Sequence, residues 1–198
     1  MEVAEAPVAD VTFARCRRAA ALFKAGNVDE GLPDIVRLAD DGYAPAQTLL
    51  GWAYEVGRGV PLDAEAAMGV YRAAAESGYR VGQYYFGVFL YRRGDAAGGV
   101  EWIRRAAEQN YAPALYRLGR LYGAGTVAPK DETKEEKYML RAAELGHPFA
   151  QRWIARRALT GREGLWGILR ALRWFASVPW LAFKLGSDDE TDPNLLYP

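Results

Sequence analysis

With 198 residues and a mass of 21.9 kDa, the chain is long enough for one or two ordinary domains. Its 25 basic and 25 acidic side chains cancel, so no overall charge draws it to nucleic acid or to an anionic surface. Hydrophobic residues make up 51% of the chain, which argues against wholesale disorder, and a single cysteine, Cys16, excludes an intrachain disulfide.

The chain begins with a short segment, residues 1–9, that we expect to be flexible. It has neither a basic region nor an apolar run of the secretory type, which predicts a cytoplasmic location. The segment is followed by an Ala/Arg/Leu-rich helical pattern that contains Cys16. Since no histidine lies near this cysteine in the sequence, we expect a buried and inert thiol.

Two motifs recur along the chain. The first, Ala/Gly-x-x-x-Leu/Phe-Gly, ends at Gly51, Gly87 and Gly119, with intervals of 36 and 32 residues. The second, Ala-Ala-Glu-x-Gly/Asn, ends at Gly78, Asn110 and Gly146, with intervals of 32 and 36 residues. Self-similarity at such a period is the signature of a repeat architecture, so we predict stacked structural units.

The two intervals differ because of the turn between the motifs. The first and third copies carry long turns, residues 57–63 and 125–131, whereas the middle copy has only Gly94-Asp95. Surface turns tolerate deletion and packed helices do not, so each unit reads as two helices joined by a turn. The small residues Gly51, Gly87 and Gly119 would then let the two helix axes approach closely.

Other signals mark the ends of these helices and of the repeat region. Asp63 and Asp131 lie where an N-cap is expected, and Gly42, Gly78 and Gly146 lie where a left-handed C-cap is expected. A degenerate earlier copy has its short turn at Gly26, and a half-copy begins at Ala150. We therefore predict about four hairpins and a half-repeat over residues 10–160.

The unit from Ala46 to Gly78 resembles a Sel1-like repeat, a relative of the tetratricopeptide repeat. The residues that carry the resemblance are Ala46, Leu50, Gly51, Tyr54, Gly57, Gly59, Val60, Asp63, Ala67, Tyr71, Ala74, Ala75, Glu76 and Gly78. The third copy matches through Asp131, Lys134, Tyr138, Arg141 and Gly146, but Val127 replaces the second turn glycine. The resemblance covers about residues 10–157. It implies an all-α, right-handed α-α solenoid that serves as an adaptor or scaffold.

A solenoid of this kind binds partners on its concave surface, which the first helix of each pair lines. Two columns of first-helix positions depart from the repeat pattern and, being four residues apart, share one helix face. These columns are Thr48, Tyr84, Tyr116 and Arg152, and Trp52, Val88, Arg120 and Arg156. We expect an aromatic and basic groove that binds a peptide with acidic and apolar groups. The alternative is that Tyr84 and Trp52 fill gaps between helices.

The residues after Gly164 leave the repeat pattern, and residues 161–186 predict an apolar helix with three possible roles. As a membrane-spanning helix it would carry Arg170 and Arg173 near its middle, at a cost of roughly 2.5–3.5 kcal/mol each. As a capping helix it would cover the last apolar face of the solenoid or fill the groove.

As an interfacial helix it would present a basic stripe of Arg170, Arg173 and Lys184 to a membrane surface through residues 164–185. The residues facing the membrane would then be Trp166, Leu169, Leu172, Phe175 and Trp180. The last segment, residues 187–198, is acidic and is expected to be a disordered tail. It could also contact the arginines of the repeat region.

No motif for catalysis, for a cofactor or for a metal emerges from the sequence. One histidine, His147, and one cysteine far from it supply neither a zinc site nor a nucleophile and its base. Two hypotheses therefore stay open: a cytoplasmic adaptor that binds a protein or peptide, and a peripheral protein that tethers a partner to the inner membrane face in envelope or polysaccharide assembly. Nucleic-acid binding, based on the arginines and tryptophans of residues 152–174, is the least favoured.

Overall fold

The computed structural model of the protein describes residues 8–159, which form nine α-helices and no strand. The helices are α1 (Val8–Lys24), α2 (Val28–Asp40), α3 (Ala44–Val56), α4 (Ala64–Glu76), α5 (Arg80–Arg92), α6 (Ala96–Glu108), α7 (Ala112–Ala124), α8 (Glu132–Glu144) and α9 (Pro148–Leu159). They form four consecutive hairpins and a final single helix. The predicted all-α class and its helical hairpins are confirmed.

The chain divides into two compact units. Within the described residues, the first unit comprises residues 8–86 and the second comprises residues 87–159, so the division falls inside α5. Each unit has a core of alanine, leucine and aromatic side chains that are almost entirely removed from water.

The three repeated glycines lie in the same environment, at the closest approach of the two helices of a hairpin. Gly51 of α3 faces the ring of Tyr71, Gly87 of α5 faces Ile103, and Gly119 of α7 faces Met139. Tyr71, Ile103 and Met139 are themselves equivalent positions of the second helix, and each is fully buried. The glycines that recur at this interval in the sequence therefore occupy equivalent positions in the structure.

The first hairpin and the α5–α6 hairpin each contain a short turn of the same type. In the first, the amide of Asn27 donates to the carbonyl of Leu22 at 3.0 Å, and Gly26 has a φ of 96°. In the other, the amide of Asp95 donates to the carbonyl of Leu90 at 3.0 Å, and Gly94 has a φ of 98°. The degenerate first copy is thus a hairpin of the same kind as the middle copy.

The long turns are closed differently. The amide of Asp63 donates to the carbonyl of Tyr54 at 3.0 Å, and the amide of Asp131 donates to that of Tyr122 at 3.1 Å. The side chains of the same two aspartates cap the next helix, since Asp63 accepts from the amide of Ala66 and Asp131 from that of Lys134, both at 2.9 Å. The predicted N-caps are confirmed.

The long turns also differ from each other at the second glycine position. Gly59 has a φ of 75°, and a Cβ placed on it would lie 2.3 Å from a methyl carbon of Val28. The equivalent residue in the third copy, Val127, keeps a negative φ. The turn after α3 therefore packs onto α2 in a way that needs glycine, and the turn after α7 takes another path.

Several expectations concern residues that the structure does not describe. Of residues 1–9, which were expected to be flexible, residues 1–7 lie outside residues 8–159, whereas residues 8 and 9 belong to α1, so the expectation is corrected for these two. The apolar helix predicted over residues 161–186, with Trp166, Leu169, Leu172, Phe175 and Trp180, and the acidic tail predicted over residues 187–198 also lie outside the described residues. Among the helices within those bounds, none combines the length and the apolarity that crossing a membrane requires.

Candidate functional site

Two of the predicted groove residues in the first unit lie in its core. Thr48 is fully buried and donates its hydroxyl to the carbonyl of Ala44 at 2.9 Å. Trp52 is 7% exposed and packs edge-on against Phe23, with ring centroids 5.9 Å apart. A partner cannot reach side chains held in this way, so the expectation that Thr48 and Trp52 line a groove is corrected.

Arg58, in the turn after α3, explains why Trp52 is covered. Its guanidinium lies 5.6 Å from the centroid of Trp52 and 5.2 Å from that of Phe23. It also donates to the carbonyl of Phe23 at 2.8 Å, near the end of α1. Charge and aromatic faces attract each other in this geometry, and the arginine stem shields the indole from water.

The two α5 positions of the columns are half-buried. Tyr84 packs edge-on against Tyr85, with centroids 5.4 Å apart, and belongs to the first unit. Val88 belongs to the second unit and is likewise half-buried. Neither side chain is presented to solvent as fully as the arginines that occupy the columns in the second unit.

In the second unit, the structure brings Tyr116 together with two aromatic residues outside the predicted columns. The ring of Tyr116 stacks on the imidazole of His147, with centroids 4.3 Å apart and planes 20° apart. Phe149 lies 6.0 Å from both rings and is 53% exposed. The three rings form an aromatic surface between α7 and the start of α9, part of which is open to water.

Two arginines from the predicted columns border this surface. Arg120, one turn after Tyr116 on α7, donates to the hydroxyl of Tyr116 at 3.4 Å. The guanidinium of Arg152 lies 5.6 Å from the centroid of Phe149. We call Tyr116, Arg120, His147, Phe149 and Arg152 the aromatic–basic cluster.

Three arginines of α7 and α9 lack an acidic partner among the described residues. Arg120, Arg152 and Arg156 are exposed, and none of them forms an ion pair with an acidic side chain of residues 8–159. Other arginines are paired, for example Arg141 with Glu144 at 3.0 Å. Guanidinium groups without a carboxylate partner, beside an open aromatic surface, suit a ligand that presents carboxylates next to apolar groups.

Contacts with α8 hold the other face of α9 in place. The indole of Trp153 donates to Glu135 at 3.2 Å, and Arg157 pairs with Glu136 at 3.3 Å. Arg157 also lies over the ring of Trp153. Because Trp153 and Arg157 bind α8, Arg152 and Arg156 of the same helix are left at the surface.

Sequence reasoning did not include His147 and Phe149 among the site residues. The stacking of His147 on Tyr116 is a packing contact, and the same contact builds the surface. Phe149 and Arg152 are three residues apart at the start of a helix, and this spacing could have identified them in the sequence as neighbours on one helix face. Tyr116 and His147 are 31 residues apart, and their contact could not be predicted from this separation, because the turn of the hairpin brings the two residues together.

The described residues contain no arrangement with evident chemistry of its own. Cys16 is 2% exposed, and burial raises the pKa of its thiol to about 11, so the thiol is protonated at neutral pH. Residues 8–159 contain no group of three or more His, Cys, Asp or Glu side chains that could hold a metal ion. The aromatic–basic cluster is therefore the strongest candidate for a functional site within these bounds.

The family model of the Sel1 repeat matches residues 44–79, 75–111 and 112–147. The chain belongs to the Sel1 repeat family. The three matches begin at or near the first helices α3, α5 and α7. The cluster of this Sel1 repeat protein combines a first helix, α7, with His147 at the end of the last matched repeat and with Phe149 and Arg152 after it. The resemblance noted in the sequence is thereby confirmed.

Two fungal proteins are similar over the repeat region. The chain is 30% identical to the chitin synthase regulator SKT5 of Malassezia restricta over 119 residues, which are 57% of this chain and 8% of that protein. It is 30% identical to chitin synthase regulatory factor 3 of Schizosaccharomyces pombe over 131 residues, 62% of this chain and 14% of that protein. The chain thus spans only a small part of either relative.

Two solved structures are similar in fold. One is a Sel1 repeat protein from Oxalobacter formigenes, with a TM-score of 0.62 and 29% identity, covering 69% of this chain and 56% of that one. The other is a protective antigen of uropathogenic Escherichia coli that displays an SLR fold, with a TM-score of 0.60 and 26% identity, covering 84% and 42%. These similarities support the α-solenoid class for this Sel1 repeat protein.

Proposed function

We propose that this protein is a non-catalytic adaptor that binds a partner protein through the aromatic–basic cluster. The observation that carries the proposal is the combination of an exposed Phe149 with the unpaired arginines Arg120 and Arg152. Aromatic and arginine side chains are the types that contribute most to protein interfaces. A folded repeat scaffold without an evident reaction centre in its described residues fits binding better than catalysis.

The fitting partner is a peptide segment that carries carboxylates beside apolar side chains. The carboxylates would accept hydrogen bonds from Arg120 and Arg152, and an apolar side chain would pack on Phe149. The names of the two fungal relatives, both regulators of chitin synthase, support a role in which the protein acts on another protein, such as a polysaccharide synthase.

The test is affinity capture from the native host with the full chain and with the double variant Arg120→Glu/Arg152→Glu. A matched control is Arg18→Glu/Arg93→Glu, which reverses two exposed arginines outside the cluster. We expect at least one protein to be captured by the native chain and the control, and to fall tenfold or more with the cluster variant, since a lost interface arginine costs about 1.4 kcal/mol or more. Equal capture by all three chains would refute the proposal.

A second candidate is a peripheral membrane protein that holds its partner at a bilayer. It is favoured by the sequence of residues 165–185, where Arg170, Arg173 and Lys184 accompany many aromatic and aliphatic residues. The test is flotation with vesicles of phosphatidylcholine and phosphatidylglycerol. We expect flotation of the full chain and its loss in Arg170→Glu/Arg173→Glu. Absence of the native chain from the floating fraction would remove this candidate.

A further inference from the structure

Arg117, on α7, occupies a position that the other first helices give to bulky uncharged side chains. At the same repeat intervals, the equivalent residues of the first unit are Leu49 and Tyr85, which are 4% and 5% exposed. The equivalent residue of α9 is Trp153, whose indole donates to Glu135. Arg117 is itself half-buried. A guanidinium that loses hydration in this way costs free energy unless an acceptor replaces the water.

The described part of the fold supplies no such acceptor for Arg117. Within residues 8–159 its guanidinium forms neither a hydrogen bond nor an ion pair, and its Nε is buried without a partner. The other half-buried arginines of the same residues each donate to an oxygen atom. These pairs are Arg15 with Asp34, Arg58 with the carbonyl of Phe23, Arg104 with Glu101, and Arg157 with Glu136. An unsatisfied buried group that stands out in this way indicates a ligand that completes it.

Tyr91, near the end of α5 and in the same compact unit, orients the guanidinium of Arg117. The Cζ atom of Arg117 lies 5.4 Å from the centroid of the Tyr91 ring. An aromatic face attracts a guanidinium without using its N–H groups, which stay available to a carboxylate. Because Nε is the buried nitrogen, the two terminal amino groups are the ones that a ligand can reach.

Arg117 and the aromatic–basic cluster lie on opposite sides of α7. Arg117 extends toward Tyr91 of α5, whereas Tyr116 stacks on His147 next to the start of α9. Arg120 follows Arg117 by three residues and Tyr116 by four, so it lies on the helix face between them. A helix with its side chains is about 10 Å across, and an extended peptide advances about 3.3 Å per residue. Carboxylates that reach both sides of α7 are therefore about three residues apart in such a peptide.

We infer that Arg117 is a second carboxylate-binding subsite, on the α5 side of α7, for the peptide that binds the aromatic–basic cluster. The inference rests on the proposed function and deepens it, because it specifies the spacing of acidic side chains in the partner. The peptide crosses α7 in an extended conformation. It presents one carboxylate to the terminal amino groups of Arg117 and another, about three residues away, to Arg120 and Arg152. An apolar side chain of the peptide packs on Phe149.

Two capped peptides of identical composition test this spacing. The spaced peptide, Ac-Glu-Leu-Ser-Glu-Leu-Ser-Glu-NH2, has glutamates three residues apart, and the adjacent peptide, Ac-Glu-Glu-Glu-Leu-Ser-Leu-Ser-NH2, has them in a row. Each is titrated into the full chain labelled with 15N. The NMR signals followed are the backbone amides of Arg120 and Arg152 and the side-chain Nε–H of Arg117, which burial protects from exchange with water. We expect the spaced peptide to shift all three signals with one dissociation constant, and to bind about tenfold more tightly than the adjacent peptide.

The variant Arg117→Leu introduces the residue that the first unit carries at the equivalent position, Leu49. The matched control, Arg104→Leu, removes a half-buried arginine of the same unit that already has an internal acceptor. We expect the affinity for the spaced peptide to fall about tenfold in Arg117→Leu and less than about twofold in the control. The melting temperature of Arg117→Leu should equal or exceed that of the native chain, because the variant removes an unsatisfied buried group.

Four results would overturn the inference. Two of them leave the proposed function standing: shifts of the Arg120 and Arg152 signals without a shift of the Arg117 Nε–H, and equal affinity of the native chain and Arg117→Leu for the spaced peptide. The third is a melting temperature of Arg117→Leu several degrees below the native value, which would show that Arg117 stabilises the fold instead. The fourth is the absence of any shift at millimolar concentrations of the spaced peptide. The capture experiment with Arg120→Glu/Arg152→Glu then decides the proposed function separately.

Discussion

Asn110 is the one non-glycine residue of the described chain with a positive φ, 57°. It takes the place that Gly78 and Gly146 occupy in the other copies, where φ is 85°. Its side-chain oxygen accepts two hydrogen bonds from Arg141 of α8, at 2.9 and 3.0 Å. Asparagine tolerates the left-handed conformation better than most residues, so this position combines a helix end with a link to the next hairpin.

We expect Asn110→Ala to lower the free energy of unfolding by about 1–2 kcal/mol, because alanine pays the full cost of the left-handed backbone. Asn110→Gly keeps that conformation and should change the free energy of unfolding by about 0.5 kcal/mol or less. Urea denaturation of both variants is the measurement. Equal losses would show instead that the bonds to Arg141 matter more than the backbone.

The buried thiol of Cys16 makes stability depend on pH in the alkaline range. Its pKa in the folded chain is raised by burial from 9.0 to about 11. The unfolded chain therefore loses this proton first as pH rises, so the contribution of Cys16 to stability is complete below pH 9 and is lost between pH 9 and 11.

Cys16→Ala removes this titration. We expect the difference in unfolding free energy between the native chain and Cys16→Ala to be constant at neutral pH and to shift by about 2 kcal/mol by pH 11. Titrations that do not involve Cys16 cancel in the difference, whereas Tyr43 contributes to it, because burial and the nearby Cys16 both raise the pKa of its hydroxyl. Urea denaturation at pH 7, 9 and 10.5 measures it, and a difference that does not change with pH would show that the thiol is accessible to hydroxide.

At the scale of the helix pair, the repeated glycines set how closely two helices pack. A Cβ on Gly51 would lie 2.6 Å from a ring carbon of Tyr71, and one on Gly87 would lie 2.6 Å from the carbonyl oxygen of Gly99. A Cβ on Gly119 would lie 3.1 Å from the flexible side chain of Met139. Gly69, in the middle of α4, has no such neighbour within 4 Å.

These distances predict an order of effects. Gly69→Ala should raise the free energy of unfolding by about 0.5–1 kcal/mol, because alanine favours a helix interior. Gly51→Ala should lower the free energy of unfolding by about 1–3 kcal/mol through overpacking. Gly87→Ala should lower it by more, because the neighbouring atom belongs to the backbone, which must then move. Gly119→Ala should lower it by less, because the side chain of Met139 can move aside. Thermal and urea denaturation of the four variants measure the order of their unfolding free energies. Stabilisation by Gly51→Ala would contradict the close approach of α3 and α4.

For the molecule as a whole, the sequence was sufficient to predict the hairpins and insufficient to predict the surface. Helix periodicity, caps and turn glycines act within a few residues, so their pattern identifies α1–α9 without tertiary information. The burial of Trp52 depends on Arg58 in a turn and Phe23 in another hairpin. The stacking of Tyr116 on His147 likewise joins two helices, and such contacts depend on how each turn directs the chain.

A repeat protein of this family should also show independent contributions from distant hairpins, because each hairpin interacts mainly with its neighbours. The environments of Gly51 and Gly119 share no residue: one is built by Tyr71, and the other by Met139 and Glu135. We therefore expect the free-energy losses of Gly51→Ala and Gly119→Ala to add within about 0.5 kcal/mol in the double variant. Tyr71→Leu removes the ring that faces Gly51, so combining it with Gly51→Ala should cost less than the sum of the two single changes. Urea denaturation of the two double-variant cycles tests both statements. Strong coupling between Gly51 and Gly119 would contradict the nearest-neighbour architecture, because packing changes in one hairpin would then be transmitted through the whole chain.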